Sequence, residues 1–144
     1  MAEDRSRRVP RVGALPAPSL STTYVHLPDQ TSASLVSVSD SFWEEVISGE
    51  RPGLERGRLV TQFDFSSDWP TWERHPEGDE LVVLLSGSAE LILEHENGES
   101  RTRLIHPGEF VLVPRDTWHT ARTQEACSML FITHGPGTEH RDVD

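Results

Sequence analysis

Residues 58–133 form a series of short β-prone segments separated by turn residues, and this pattern restricts the fold more than any other feature. Residues 59–65 and 89–94 each alternate in the manner of a strand with one buried face. Asn97-Gly98 lies between two such segments and is the strongest short signal for a β-hairpin. Many short strands at close spacing predict an all-β sandwich or a small barrel.

One segment of this region differs from the alternating ones. Residues 80–85 are a nearly continuous apolar run after Glu80, and Ser86-Gly87-Ser88 ends it. Such a run predicts a strand that is buried on both faces.

The chain before residue 57 is predicted to be less regular. Residues 1–20 are rich in Arg, Pro, Ser and Ala and predict a flexible tail. Residues 21–56 contain two β-prone pieces, at 22–25 and 33–38, followed by a short helix.

The helix is predicted from its ends. Ser41 and Glu44 form a capping box, and Gly49 is placed to end the helix. Phe42, Val46 and Ile47 would share its apolar face. The barrel is expected over residues 57–134, with residues 135–144 as a polar C-terminal tail.

Composition excludes several functions. The net charge is −11, from 24 acidic residues against 13 Arg and no Lys, so the chain offers no basic stripe for nucleic acid and no attraction to an anionic membrane. The absence of Lys excludes Schiff-base chemistry. Cys127 is the sole cysteine, so there is no internal disulfide, and a buried strand residue is its expected role. Without an apolar membrane span or signal-peptide core, a cytoplasmic protein is expected.

Two segments gather side chains that bind metals. Glu73 and His75 are two residues apart, so an extended strand points both to one face. Glu80 opens the next predicted strand, and His119 opens another after the turn at 114–116. Two nitrogen and two oxygen donors suit Zn, Fe, Mn or Ni. On spacing alone, the alternative is that the carboxylates are surface groups and the histidines incidental.

These segments resemble the two motifs of the cupin superfamily. The first family motif is His-x-His, three or four residues, Glu, six residues, Gly, and this chain has Glu73-x-His75, four residues, Glu80, six residues and Gly87. The second is Gly, five residues, Pro-x-Gly-x-x-His, and this chain has Gly108, five residues and 114–119, ending in His119.

The resemblance implies a single-domain jelly-roll β-barrel that holds one divalent metal ion. It places His75, Glu80 and His119 on family ligand positions. The sequence departs from the family at Glu73, which replaces the first histidine, and at Asp116, which replaces the glycine of the second motif. Asp tolerates the backbone conformation that Gly supplies at turns, so the second change is compatible with the fold.

Glu73 has two competing roles. As a fourth ligand it completes a site of two histidines and two carboxylates, and its position and strand parity favour this role. As a non-ligand it leaves His75, Glu80 and His119 as a triad with open positions, and Glu73 becomes a candidate catalytic base.

Other side chains near the motifs are weaker candidates. Trp69, Trp72 and Trp118 could line an aromatic pocket mouth or simply pack, although strand parity turns Trp72 and Trp118 away from the ligands. Arg74 and Arg122 could bind a substrate carboxylate or form ordinary ion pairs. The histidines outside the motifs are expected at the surface: His26, His95, His106, His134 and His140.

The resulting expectation is a metal-dependent cupin enzyme that acts on a small polar molecule, of dioxygenase, isomerase or lyase type. The alternatives are a non-catalytic module that binds a metal or small ligand, and a metal-free barrel. A small cupin leaves sheet edges exposed, so a homodimer is also expected, with residues 22–38 as an exchanged or added strand.

Overall fold

The computed structural model describes residues 16–30, 32–134 and 137–144. Within these ranges the chain forms eleven β-strands, one α-helix and one 3-10 helix. The strands are β1 (Thr23–Leu27), β2 (Ser34–Ser37), β3 (Arg58–Phe65), β4 (Thr71–Arg74), β5 (Glu80–Ser86), β6 (Ala89–His95), β7 (Gly98–Leu104), β8 (Phe110–Val113), β9 (His119–Arg122), β10 (Cys127–His134) and β11 (Glu139–Asp142). The helices are α1 (Phe42–Ile47) and the 3-10 helix Pro52–Glu55.

The strands form two antiparallel sheets, and the predicted all-β fold with a short N-terminal helix is confirmed. The first sheet has the order β2-β1-β3-β10-β5-β8, and the second has the order β11-β4-β9-β6-β7. Neighbours in each sheet are mostly distant in sequence, as in a jelly roll, where consecutive strands alternate between sheets. Within the described residues, no helix is long and apolar enough to cross a membrane.

The main hydrophobic core lies between the two sheets. It is built from the inward residues of β5, β6, β8, β9 and β10, including Val82, Leu84, Leu91 and Met129, all of which are fully buried. Cys127 belongs to this core, where burial raises the pKa of its thiol, as expected for a small apolar strand residue.

Gly87 shows why a motif glycine is needed at the end of β5. Its φ is +76°, and a Cβ added there would lie 2.3 Å from the carbonyl oxygen of Ala126. A side chain at this position would therefore clash with backbone as well as strain the turn.

The N-terminal strands extend the first sheet and build a second, smaller core. β1 pairs with β3, and Tyr24, Val36 and Phe42 pack together as buried residues. Trp43 on α1 lies 5.7 Å from the ring of Phe63, which in turn packs on Phe131 inside the barrel. β2 thus forms an edge of this sheet, with β1 as the strand next to it.

Three details of this region differ from prediction. Ser41 precedes α1 but its side chain makes no capping hydrogen bond, since only its carbonyl accepts from Glu45 N–H. Ile47 is 81% exposed and does not share the buried face of Phe42. His26 is buried, and its Nε2 hydrogen-bonds the carbonyl of Arg56.

The outer face of β5 also differs from prediction. Glu80, Val82 and Leu84 point inward and are buried, whereas Leu81 and Val83 are only half-buried and Leu85 is exposed. The strand is therefore buried on one face, and the apolar residues of its other face lie on the outside of the sheet.

The C-terminal segment forms a strand where a tail was expected. β11 pairs with β4 over four residue pairs, from Glu139 opposite Arg74 to Asp142 opposite Thr71. Most of the tail predicted at residues 1–20 lies outside the described residues.

Candidate metal centre

The four candidate donors meet at one end of the barrel. Glu73 lies on β4 directly opposite His119, the first residue of β9. His75 follows β4 on the same side as Glu73, and Glu80 is the first residue of β5. One donor atom from each of the four side chains lies within 4.8 Å of the others.

The two turns that carry the donors are joined by hydrogen bonds. Asp116 N–H donates to the carbonyl of His75 over 2.9 Å, and Arg115 N–H donates to a carboxylate oxygen of Asp79 over 2.7 Å. Asp116 has a φ of +62°, the left-handed conformation that the glycine of the family motif would supply. The substitution therefore keeps the turn that places His119.

Glu80 lies between the two imidazoles. Its Oε2 is 3.0 Å from His75 Nε2, and its Oε1 is 3.1 Å from His119 Nε2. Glu73 is more distant, with its Oε2 3.9 Å from His75 Nε2 and 4.0 Å from His119 Nε2. The side chains of His75, Glu80 and His119 are buried, whereas that of Glu73 is 28% exposed.

The second nitrogen of each imidazole is held by a neighbour. His119 Nδ1–H donates to the carbonyl of Thr117 over 3.0 Å, so Nε2 is the nitrogen that faces the cluster. His75 Nδ1 hydrogen-bonds Thr138 Oγ1 over 2.9 Å. Thr133 Oγ1 donates to Glu80 Oε2 over 2.5 Å, so the carboxylate is also fixed.

His75 Nε2 is the unsatisfied atom of the cluster. It is buried and, within the described residues, has no hydrogen-bond partner of acceptable geometry. The 3.0 Å contact with Glu80 Oε2 is short enough for a hydrogen bond, but its angles are wrong. A contact with this misalignment is not a hydrogen bond, because hydrogen-bond strength falls steeply with angle. A nitrogen aimed past its nearest oxygen is expected where several donors converge on a common point.

The electrostatics of the cluster favour an ionised carboxylate. Burial would raise the pKa of Glu80, but the hydrogen bond from His119 and the close, positively charged imidazoles of His75 and His119 outweigh burial and lower the pKa to about 2. Burial would lower the pKa of His119, and the Glu80 hydrogen bond and charge reverse this and raise it. Glu80 and His119 therefore stabilise each other's charged forms in the metal-free protein.

The donor distances fit one shared metal ion. Protein nitrogen and oxygen ligands lie about 2.0–2.2 Å from Zn²⁺, so two ligands of one ion are at most about 4.4 Å apart. The four contacts described above span 3.0–4.0 Å and lie within this limit. The whole set of four donor atoms lies within 4.8 Å, so a metal ion would draw the outermost donors slightly inward. The buried, unpartnered His75 Nε2 supplies a nitrogen that a metal would satisfy.

The tryptophans near the motifs divide between the two faces. Trp69 lies inside the barrel, with its ring 6.4 Å from that of His119 and packed on Phe131. Trp72 and Trp118 lie on the outer face, where the guanidinium of Arg141 covers both rings. Only Trp69 is therefore placed beside the donors.

Arg74 and Arg122 do not face the cluster. Arg74 forms an ion pair with Glu139 and lies over the ring of Trp118. Arg122 has the strand parity opposite to that of His119 on β9.

Two residues of the C-terminal segment that were given no chemical role from the sequence lie near the cluster. Thr138 contacts His75, and His140 Nε2 lies 3.3 Å from Glu73 Oε1. Hydrogen bonding to Glu73 is the main cause that raises the pKa of His140. Their alternation with Glu139 and Arg141 is the only local signal for a strand, and it is weak because all four residues are polar.

A shallow depression of about 430 Å³ lies elsewhere on the molecule. It is lined by residues of β1, β2 and the 3-10 helix, including His26 and Leu35. Its lining includes none of the four donors, so it is separate from the candidate metal centre.

Comparison with known proteins identifies the domain. A family profile described as a cupin domain matches residues 66–133, the part of the chain that carries all four donors. The chain carries a cupin domain. A search of curated proteins found no sequence that matches this cupin.

Solved structures of two proteins with TM-scores above 0.5 share the fold at low sequence identity. Peruvianin-I, a cysteine peptidase from Thevetia peruviana latex, is 16% identical with a TM-score of 0.52, and the match covers 61% of the cupin chain and 58% of the other. A recombinant oxalate oxidase in complex with glycolate is 18% identical with a TM-score of 0.51, covering 58% and 45%. A cupin-2 domain containing protein from Shewanella frigidimarina is 17% identical with a TM-score of 0.46, covering 54% and 70%. The cupin chain spans about half the length of the first two proteins.

Proposed function

We propose that this cupin binds one divalent metal ion through Glu73, His75, Glu80 and His119 and acts as a metal-dependent enzyme on a small polar molecule. The observation that carries the proposal is the convergence of four donors on a point at which His75 Nε2 is buried without a hydrogen bond. Two imidazoles and two carboxylates suit Zn, Fe, Mn or Ni.

The residues of the centre have distinct tasks. Glu80 is ionised and buried, so it supplies fixed negative charge. Thr117 and Thr138 orient the two imidazoles so that each Nε2 faces the centre. A divalent ion held there would supply Lewis-acid activation of a carbonyl, a carboxylate, water or dioxygen.

Glu73 is the donor best placed to meet a substrate. It is the only one of the four with substantial exposure, and its Oε2 is farther from the imidazoles than either oxygen of Glu80. This position supports both roles left open by the sequence, a fourth ligand and a general base beside the ion.

A non-catalytic metal-binding module is the second candidate. It is favoured by the burial of His75, Glu80 and His119 and by the contact between His140 and Glu73, which together leave little of the centre open. A site with every position filled by protein binds metal without turnover.

The test is the metal content of protein purified without added metal or a histidine tag. We expect near-stoichiometric metal by elemental mass spectrometry in the wild type, and loss of most of it in His75→Ala and Glu73→Gln. His106→Ala is the matched control, because this histidine is 74% exposed and far from the donors in sequence. Unchanged metal content in both cluster variants would refute the four-ligand site.

The same variants separate the roles of Glu73. Loss of metal in Glu73→Gln indicates a ligand, whereas retained metal with lost turnover indicates a base. Bound Fe would direct the substrate screen to oxygen uptake, and bound Zn, Mn or Ni would direct it to isomerase and lyase assays. Stoichiometric metal without turnover in these screens would favour the binding module.

A further inference from the structure

We propose that the C-terminal strand contributes two positioning residues, Thr138 and His140, which hold His75 and Glu73 in the orientation that binds metal. The inference rests on the proposed metal-binding function and deepens it. It assigns a task to a strand that lies outside the matched cupin domain at 66–133.

The first contact fixes an imidazole. Thr138 lies directly before β11, and its Oγ1 is 2.9 Å from His75 Nδ1. A metal-binding histidine needs its other nitrogen held, because that bond sets the ring orientation and the nitrogen presented to the metal. Thr138 does for His75 what the Thr117 carbonyl does for His119.

The second contact fixes a carboxylate. His140 is the register partner of Glu73 across β4 and β11, so the two side chains share the inner face of the sheet. His140 Nε2 lies 3.3 Å from Glu73 Oε1, and the other oxygen, Oε2, faces His75 and His119. A partly exposed glutamate loses side-chain entropy when a metal ion orders it. A contact that already restrains the side chain reduces that loss.

The residues that alternate with these two, Glu139 and Arg141, anchor the strand from the opposite face. Glu139 pairs with Arg74, and Arg141 pairs with Glu94 and covers the rings of Trp72 and Trp118. Inward residues therefore contact the donors, and outward residues contact the barrel wall. This alternation provides a control for strand docking that leaves the donor contacts in place.

The experiment measures the affinity of the metal-free protein for Zn²⁺ by competition with a chelating indicator. Thr138→Val keeps the shape of the side chain but removes the hydroxyl, and His140→Leu removes the partner of Glu73. We expect each to weaken Zn²⁺ binding about 10- to 100-fold, the usual effect of losing an outer partner of a metal ligand. We expect Thr138→Ser, which restores the hydroxyl, and Glu139→Gln, which alters only the outer face, to stay within about threefold of wild type.

A second measurement distinguishes positioning from general stability. The visible absorption spectrum of the Co²⁺-loaded protein reports the ligand geometry, and we expect it to change in Thr138→Val and His140→Leu but not in Glu139→Gln. If the two inward variants match Glu139→Gln in both affinity and spectrum, the positioning role is refuted. If the folded wild type itself binds neither Zn²⁺ nor Co²⁺, the proposed metal-binding function fails first and this inference falls with it.

Discussion

Glu80 is the residue on which the charge balance of the centre depends. It is buried between two imidazoles, and its carboxylate accepts a further hydrogen bond from Thr133. A buried carboxylate with several donors stays ionised at low pH, and removal of its partners leaves an uncompensated buried charge. Its titration and that of His119 therefore link the centre to the stability of the whole protein.

The metal-free protein is expected to be most stable between about pH 4.5 and pH 6.5. The pKa of Glu80 is lowered from 4.5 to about 2, so its stabilising contribution is present above 4.5 and is lost as pH falls toward 2. The pKa of His119 is raised above 6.5, so its contribution is present below 6.5 and is lost as pH rises through the folded-state value. The thermal unfolding temperature at pH 3, 5.5 and 8.5 measures the loss of stability on the acidic side and on the basic side of this maximum.

Glu80→Gln is the variant that checks this pH dependence. It removes the titrating carboxylate and, with it, the main cause of the raised pKa of His119, so we expect the maximum near pH 5.5 to flatten. An unfolding temperature of the wild type that rises steadily from pH 5.5 to 8.5 would contradict the assignment of His119 as the proton carrier.

Asp116 stands at the turn position where the family motif has glycine, and substitutions there test the backbone conformation of the turn. Its φ of +62° is tolerated by Asn and Asp but strains a β-branched side chain. We expect Asp116→Val to lower the free energy of unfolding by roughly 1–2 kcal/mol and Asp116→Asn to change it by less than about 0.5 kcal/mol. Urea unfolding of the metal-free proteins measures both, and equal stability of the two variants would contradict a conformational cause.

At the scale of secondary-structure elements, Arg141 is the side chain of β11 with the most contacts to the barrel wall that a mutation can remove. The guanidinium of Arg141 lies 5.1 Å from the ring centre of Trp72 and 4.6 Å from that of Trp118, and it also pairs with Glu94. Exposed ion pairs contribute little, so the two aromatic rings account for most of the expected effect.

We expect Arg141→Ala to lower the free energy of unfolding by about 1–2 kcal/mol and to speed amide exchange in β11. Arg101→Ala is the control, since Arg101 pairs with Glu90 and Glu99 at the surface without an aromatic ring, and its loss is expected to cost less than about 0.5 kcal/mol. Similar costs for the two variants would show that the tryptophans contribute nothing.

The elements that the sequence predicts well are those with strong local signals. The alternating strands, the Asn97-Gly98 hairpin and the end of α1 at Gly49 all follow from local periodicity or turn chemistry, and all are present. The grouping of Glu73 with His75 follows from strand parity alone. The motif spacing then places Glu80 and His119 at the same end of the barrel.

The elements that it misses depend on contacts between distant segments. β11 is short and polar, so its own residues give little signal for a strand. It forms a strand because it pairs with β4 and because Arg141 packs on Trp72 and Trp118. The apolar run of β5 does not show which face of the strand packs against the other sheet. The exposure of its outer face follows only from the arrangement of the two sheets.

At the scale of the whole molecule, that outer face predicts a homodimer. Phe110 and Leu112 on the edge strand β8 are 58% and 60% exposed. On the same face they lie beside the half-buried Val83 and Leu81 of β5. Leu130 and Ile132 of β10 extend this face by one more strand. These six positions carry no charge. Two copies of a chain with net charge −11 repel each other, and the repulsion at the contact is weakest where the contacting surfaces lack carboxylates.

We expect the wild type to be a dimer by light scattering at micromolar concentration, and Leu112→Glu to be a monomer. Ile47→Glu is the control, because Ile47 is an even more exposed apolar residue and lies on α1 rather than on β8, β5 or β10. A wild-type monomer, or a Leu112→Glu dimer, would contradict a contact through β8.

The place of β4 in its sheet has a consequence for the order in which the protein is made. Its neighbours are β9 and β11, and 63 residues separate His75 from Thr138. A chain leaves the ribosome from its N-terminus, so Glu73 and His75 emerge long before either strand that flanks them. The four donors therefore come together only after β9 has emerged, and Thr138 and His140 join them last.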